Sequence, residues 1–81
     1  MIIEYLNHAC IKIISKNGLK ILFDPWFDGF AFNGGWGLKY INAQALEKTI
    51  DCSHLWISHF HTDHFHIPTL KNILQLNRDI I

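Results

Sequence analysis

The sequence predicts an α+β fold, antiparallel strands followed by a strand, a tight polar loop and a helix. Three observations carry that prediction. Apolar and polar residues alternate through much of the first 24 positions. A short apolar run, Leu55-Trp56-Ile57, leads directly into a segment rich in histidine. Beyond it Ile67, Leu70, Ile73 and Leu74 recur at helical spacing and make one apolar stripe.

Taken in order, Ile3 and Tyr5 alternate with Glu4, and Ile11 and Ile13 flank Lys12, so one face of these strands is expected to be buried and the other wet. Asn17-Gly18 supplies the positive backbone angles of a tight hairpin, joining a strand over Ala9–Ile14 to one over Leu19–Asp24. Pro25 cannot donate to a ladder and ends the third strand at Asp24. Residues 25–40 mix glycines with bulky aromatics, as in Trp26-Phe27-Asp28-Gly29 and Asn33-Gly34-Gly35-Trp36-Gly37. A solvated linker would be rich in Ser, Lys or Glu instead, so these rings either line a pocket or cap a core. Residues 43–49 carry good helix formers and predict a short helix. The main helix is expected from Ile67 to about Gln75, with Pro68 in its first turn and Asn77 ending it. Asp79-Ile80-Ile81 reads as the start of another strand, so the chain is expected to be one partial domain over 1–81, truncated at its carboxyl end.

Composition narrows the function classes. The chain is 49% hydrophobic and only 17% charged, too apolar for disorder. Seven Lys plus Arg balance seven Asp plus Glu, which leaves no electrostatic footprint for nucleic acid. No apolar run approaches the roughly 20 residues needed to span a bilayer, and Met1-Ile2-Ile3-Glu4 lacks the basic start of a signal peptide. Two cysteines, Cys10 and Cys52, make no disulfide framework, and a cytoplasmic location with reduced thiols is expected.

The chemistry is concentrated in His59-Phe60-His61-Thr62-Asp63-His64. Imidazole and carboxylate suit zinc and other first-row metals, and a loop held between a strand and a helix can converge several side chains on one point. His59 and His61 can address one ion while Asp63 and His64 address a neighbour, as two-metal hydrolytic sites require.

The motif His59-x-His61-x-Asp63-His64 resembles the signature of the metallo-β-lactamase superfamily. Asn7-His8-Ala9 and Ile21-Leu22-Phe23-Asp24-Pro25-Trp26 are similar to elements of one branch. That branch holds ascorbate-6-phosphate lactonase-like proteins, the N-acyl-phosphatidylethanolamine-hydrolysing phospholipase D and CMP-N-acetylneuraminate hydroxylase-like proteins. Pro68-Thr69-Leu70 looks most like the last of these. The resemblance implies the amino-terminal half of an αββα sandwich and a metal-dependent hydrolase that activates a metal-bound water at two zinc ions, with manganese or iron possible. It implies His59 and His61 on the first ion, Asp63 and His64 on the second, and Asp63 orienting the water as the catalytic residue. It places Asp24 behind the ligands as support, although an Asp before Pro equally caps a turn, and His8 near the rim. His66, at the helix start, is expected at the surface or as a cap in preference to approaching the metals, and Trp26 and Trp36 are expected among the aromatics flanking a substrate. That substrate would be a small molecule with a hydrolysable ester, lactone, phosphodiester or amide.

The family completes its site with a further His, a bridging Asp and a final His, all downstream of the motif. Two donors per ion predict weak binding and little turnover, because a catalytic zinc normally has three protein ligands. The alternative reading is a non-catalytic metal-binding fragment or interaction module. In either case an uncovered apolar face predicts self-association or a complementary chain. An oxidative role like that of the hydroxylase relatives would need iron–sulfur ligands that two cysteines do not supply.

Overall fold

Ser15 to Leu19 sets the frame. The Ser15 carbonyl accepts from Gly18 N at 3.0 Å and Ser15 N donates to the Leu19 carbonyl at 2.8 Å, with Gly18 at φ 86°, where a side chain would be strained. The computed structural model describes all of residues 1–81. The turn joins β2 (Cys10–Ile14) to β3 (Lys20–Phe23), and β1 (Ile2–Asn7) precedes them. Two-residue strands β4 (Phe30–Ala31) and β5 (Trp36–Gly37) form a separate ribbon within the aromatic loop. After them come β6 (His54–Trp56) and α1 (Ile67–Leu76). The main sheet has the order β1-β2-β3-β6. The first three strands are antiparallel as expected, whereas β6 lies parallel to β3, with Leu22 opposite Leu55 and Phe23 opposite Trp56. This parallel pairing brings the ends of β3 and β6 side by side, and the site grows from those ends.

Residues paired across strands share a face. The row Glu4, Lys12, Leu22, Leu55 points one way; the rows Ile3, Ile13, Ile21, His54 and Tyr5, Ile11, Phe23, Trp56 point the other. The alternation is therefore real, but the expected sides are exchanged. The core forms on the Lys12 side, from Leu6, Cys10, Leu22, Phe27, Ala45, Cys52 and Ile73, while Ile3 is 62%, Tyr5 60% and Trp56 59% exposed. Lys12 is buried because its charge is paired. Its ammonium donates to the Lys48 carbonyl at 2.8 Å and to Asp51 Oδ1 at 2.7 Å. Glu4 is likewise paired, with Lys48.

The helix begins and ends close to expectation, but its buried face is shifted. Thr69 and Ile73 are buried, Leu70 is half-buried, and Ile67 and Leu74 stand in solvent. Asn77 ends the helix and clamps it, its amide donating to the carbonyls of Thr49 and Cys52 at 3.1 and 2.8 Å. The predicted helix over 43–49 is reduced to one 3₁₀ turn at Glu47–Thr49, too short a segment to repay helix nucleation. The strand expected at 79–81 does not form a ladder, although Ile81 exchanges hydrogen bonds with Ser53 and Leu55 along β6. Both cysteines are free and buried, and burial, with the Asp24 charge second, pushes the Cys10 thiol far above its usual range. No helix is long and apolar enough to cross a membrane.

Candidate metal centre

Asp24, at the end of β3, is the hub of the site. Its backbone is left-handed at φ 46°, which turns the carboxylate across to the end of β6. There Oδ1 accepts from Ser58 N at 2.7 Å, and Oδ2 accepts from the Ser58 hydroxyl at 2.6 Å and from His64 Nδ1 at 2.9 Å. Burial would raise the pKa of this carboxyl, but the bonds from Ser58 and His64 outweigh it and hold it below the usual carboxylate range.

These contacts settle which imidazole nitrogens carry hydrogen. A carboxylate only accepts, so His64 donates through Nδ1 and a neutral ring keeps its lone pair on Nε2. That Nε2 stands 3.4 Å from Asp63 Oδ2. The same logic runs through Ser58. Its single hydroxyl hydrogen goes to Asp24, so His59 Nδ1, 2.9 Å away, donates to the Ser58 oxygen and leaves His59 Nε2 bare. Imidazoles fixed in this way by a partner behind them are the arrangement that metal sites use. Ser58 was not singled out from the sequence; a hydroxyl directly before the first histidine was the available signal.

The loop brings the predicted ligands near one another in pairs. The His59 ring centroid lies 4.1 Å from that of His64 and 4.7 Å from that of His61. Asp63 is buried, and His8 from the β1–β2 turn reaches its Oδ2 at 3.1 Å. Imidazole and carboxylate donors of this set fit a zinc-type cation. Ligand atoms on a tetrahedral zinc are separated by roughly 3.3 Å, from bonds of about 2.0–2.1 Å, and His64 Nε2 and Asp63 Oδ2 stand at about that spacing. The set is incomplete in one respect: no three His, Cys, Asp or Glu side chains are arranged together to hold an ion.

Other candidates fall elsewhere. His66 lines the same cleft as Phe60, Thr62 and Phe65 but offers it no free nitrogen. It caps α1, with Nδ1 2.8 Å from the Thr69 hydroxyl and also accepting from Thr69 N, while Nε2 donates to the Phe30 carbonyl at 2.9 Å. Both nitrogens are consumed by the fold, which removes His66 from the ligand candidates. Trp26 is 1% exposed and Phe27 is buried in the core, so neither flanks a substrate directly. Trp26 instead backs His8, edge to face at 4.9 Å. Trp36 is exposed and meets Phe32 edge to face at 4.8 Å, and Phe32 in turn lies 6.1 Å from His61. Phe32 N donates to the Thr62 hydroxyl at 2.7 Å and ties the aromatic loop to the histidine loop. Between them opens a cleft of about 490 Å³ whose lining includes Phe30, Phe32, Phe60, Thr62 and Phe65 and no Lys or Arg.

Comparison with known proteins places the chain by family. A family model described as a beta-lactamase superfamily domain matches residues 2–79. Among curated relatives, the cytidine monophosphate-N-acetylneuraminic acid hydroxylase of Asterias rubens is 44% identical over 80 residues, covering 96% of this chain and 12% of that protein. The protein of the same name from Cricetulus griseus is 39% identical over 79 residues, covering 96% and 14%. A Homo sapiens relative named as the inactive form of that hydroxylase is 38% identical, covering 96% and 16%. The chain thus spans well under a fifth of the length of these relatives. No solved structure matches it. With a match running from β1 to beyond α1, the chain belongs to the family of beta-lactamase superfamily domains.

Proposed function

We propose that the chain supplies half of a dinuclear metal centre, with His59 and His61 serving one ion and Asp63 and His64 the other, in a metal-dependent hydrolase. The observation that carries the reading is the bare Nε2 of His64 facing Asp63 Oδ2 at 3.4 Å while Asp24 holds Nδ1 from behind. A positive charge stabilises two such atoms at that separation, supplied in this reading by a metal ion in place of a proton on Nε2. Zinc, or manganese or iron in its place, would supply Lewis-acid activation of water and of a carbonyl or phosphoryl oxygen.

The chain's own residues have separable tasks in this reading. Asp24 and Ser58 orient the rings of His64 and His59, and Asp63 presents its carboxylate from a buried position. The phenylalanine cleft beside Thr62 takes an apolar or flat part of a small substrate, since it carries no cation for a phosphate. The bare sheet face of Ile3, Tyr5 and Trp56 fits the position of the second sheet of an αββα sandwich, covered by further polypeptide or by a second copy.

The test is metal analysis of the chain after dialysis against zinc, beside the double variant His59→Ala/His61→Ala. Up to two ions are expected in the parent and at least one fewer in the variant; equal metal content would remove the histidine loop from the reading. A second reading follows from the hydroxylase relatives, in which iron replaces zinc and the reaction is oxidative. Cys10 and Cys52 are buried in the core and offer no iron–sulfur ligands, so electrons would come from another protein segment. Preferential retention of iron under anaerobic loading favours the oxidative reading, and preferential retention of zinc favours the hydrolytic one.

A further inference from the structure

His8 occupies a position where an imidazole is an unusual choice. It follows β1 in the short turn to β2 and has a left-handed backbone at φ 48°, a conformation that favours Gly or Asn and costs other residues energy. Its ring is nonetheless held in one direction. It stands edge-on to the Trp26 indole, 4.9 Å away at 81°. Trp26 is pinned in turn: its carbonyl accepts from the Asn7 amide at 2.8 Å and its indole N–H donates to the Asp28 carbonyl at 3.1 Å. So supported, His8 Nε2 reaches across 55 residues of sequence to Asp63 Oδ2 at 3.1 Å. Because a carboxylate can only accept, the imidazole is the donor.

We infer that His8 is a positioning residue for Asp63, holding its buried carboxylate toward His64 for a cation. The inference rests on the metal-centre reading above and adds to it a contact from outside the histidine loop. Partners of this kind, bonded to a ligand and not to the ion, commonly change metal affinity by roughly 10–100-fold.

Two substitutions separate positioning from a purely structural role. Asn accepts the left-handed backbone, but its short amide falls short of Asp63, so His8→Asn keeps the turn and loses the bond. The amide of Gln extends about as far as Nε2 of His, so His8→Gln keeps a donor there. The full 81-residue chain is titrated with Co(II), following its visible absorption, and the thermal midpoint of each metal-free variant is recorded. His8→Asn is expected to bind Co(II) roughly 10–100-fold more weakly with no fall in the midpoint, and His8→Gln to recover most of the affinity. Unchanged affinity in His8→Asn would overturn the inference and leave the metal-centre reading standing. Equal losses in both variants would overturn it as well, since the donor would then be irrelevant. No Co(II) uptake by the parent chain would overturn the metal-centre reading and this inference with it.

Discussion

His64 and His66 lie two residues apart and are held in opposite ways. His66 sits in the cap of α1 with both nitrogens committed to protein partners, Thr69 on one side and the Phe30 carbonyl on the other. His64 sits in the loop with one nitrogen committed to Asp24 and the other left facing a carboxylate. The first arrangement is complete as it stands. The second is completed by a positive charge, either a proton on Nε2 that pairs the ring with Asp63 or a metal ion bound between the two. What separates a structural histidine from a ligand is therefore the partner of its second nitrogen, more than its place in a histidine-rich run.

The largest effect expected from this contrast is on folding. His66→Ala removes a buried helix cap and leaves Thr69 N and the Phe30 carbonyl without their partner, for a cost of about 2–4 kcal/mol. Urea unfolding of the metal-free chain measures it. Metal affinity, corrected for the fraction folded, should stay at the parent value, and a specific loss of metal in this variant would break the comparison.

The reverse pattern is expected at Asp24→Asn. The amide can no longer accept on both atoms from Ser58 and His64, so the His64 ring loses the bond that fixes its tautomer. Zinc affinity by calorimetric titration should fall by roughly 10–100-fold, equivalent to about 1.4–2.7 kcal/mol. A variant that binds zinc as tightly as the parent would show that the Asp24–His64 bond does not orient a ligand.

The contrast between these two histidines also marks how far the sequence could be read. The strand–loop–helix unit was legible because Leu55-Trp56-Ile57, the histidine loop and the spacing from Ile67 each follow a local rule, whereas the pairing of donors was not: the His59 ring lies nearer His64 than His61, and no three donors meet at one point. The role of Ser58 was not legible, and that of His66 only as a surface or capping residue without its partners, because those contacts depend on which atoms meet across distant segments: Asp24 with Ser58, Phe30 with His66. The two sheet faces show the same limit. Alternation in β1 and β2 reveals that two faces exist, but period-two patterning carries no information about which face the rest of the chain covers. Here Asn77, Thr49 and Cys52 fasten α1 to the segment before β6 and close over the side that holds Lys12. A lysine normally marks solvent, and only the pairing with Asp51 and the Lys48 carbonyl, neither predictable from spacing, permits its burial.

That lysine cluster gives the smallest predicted effect and a control for the site. Asp51 accepts from Lys12 on one oxygen, at 2.7 Å, and from Lys20 on the other, at 2.6 Å, so its charge is balanced by the protein's own cations. The bonds from Lys12 and Lys20 draw its pKa down to about 2. A carboxyl with a lowered folded-state pKa contributes stability above its unfolded value near 3.8 and loses it as pH falls toward 2. Because Asp51 is half-exposed, solvent screening limits that contribution to about 1 kcal/mol. Asp51→Asn should therefore be about 1 kcal/mol less stable than the parent at pH 6, and the gap should close as both are taken to pH 2. Added zinc should leave the gap unchanged, since both oxygens already face the protein's own ammonium groups. A gap that widened with zinc would mean that Asp51 reports on the metal centre, and the division between self-sufficient and cation-dependent clusters would have to be redrawn.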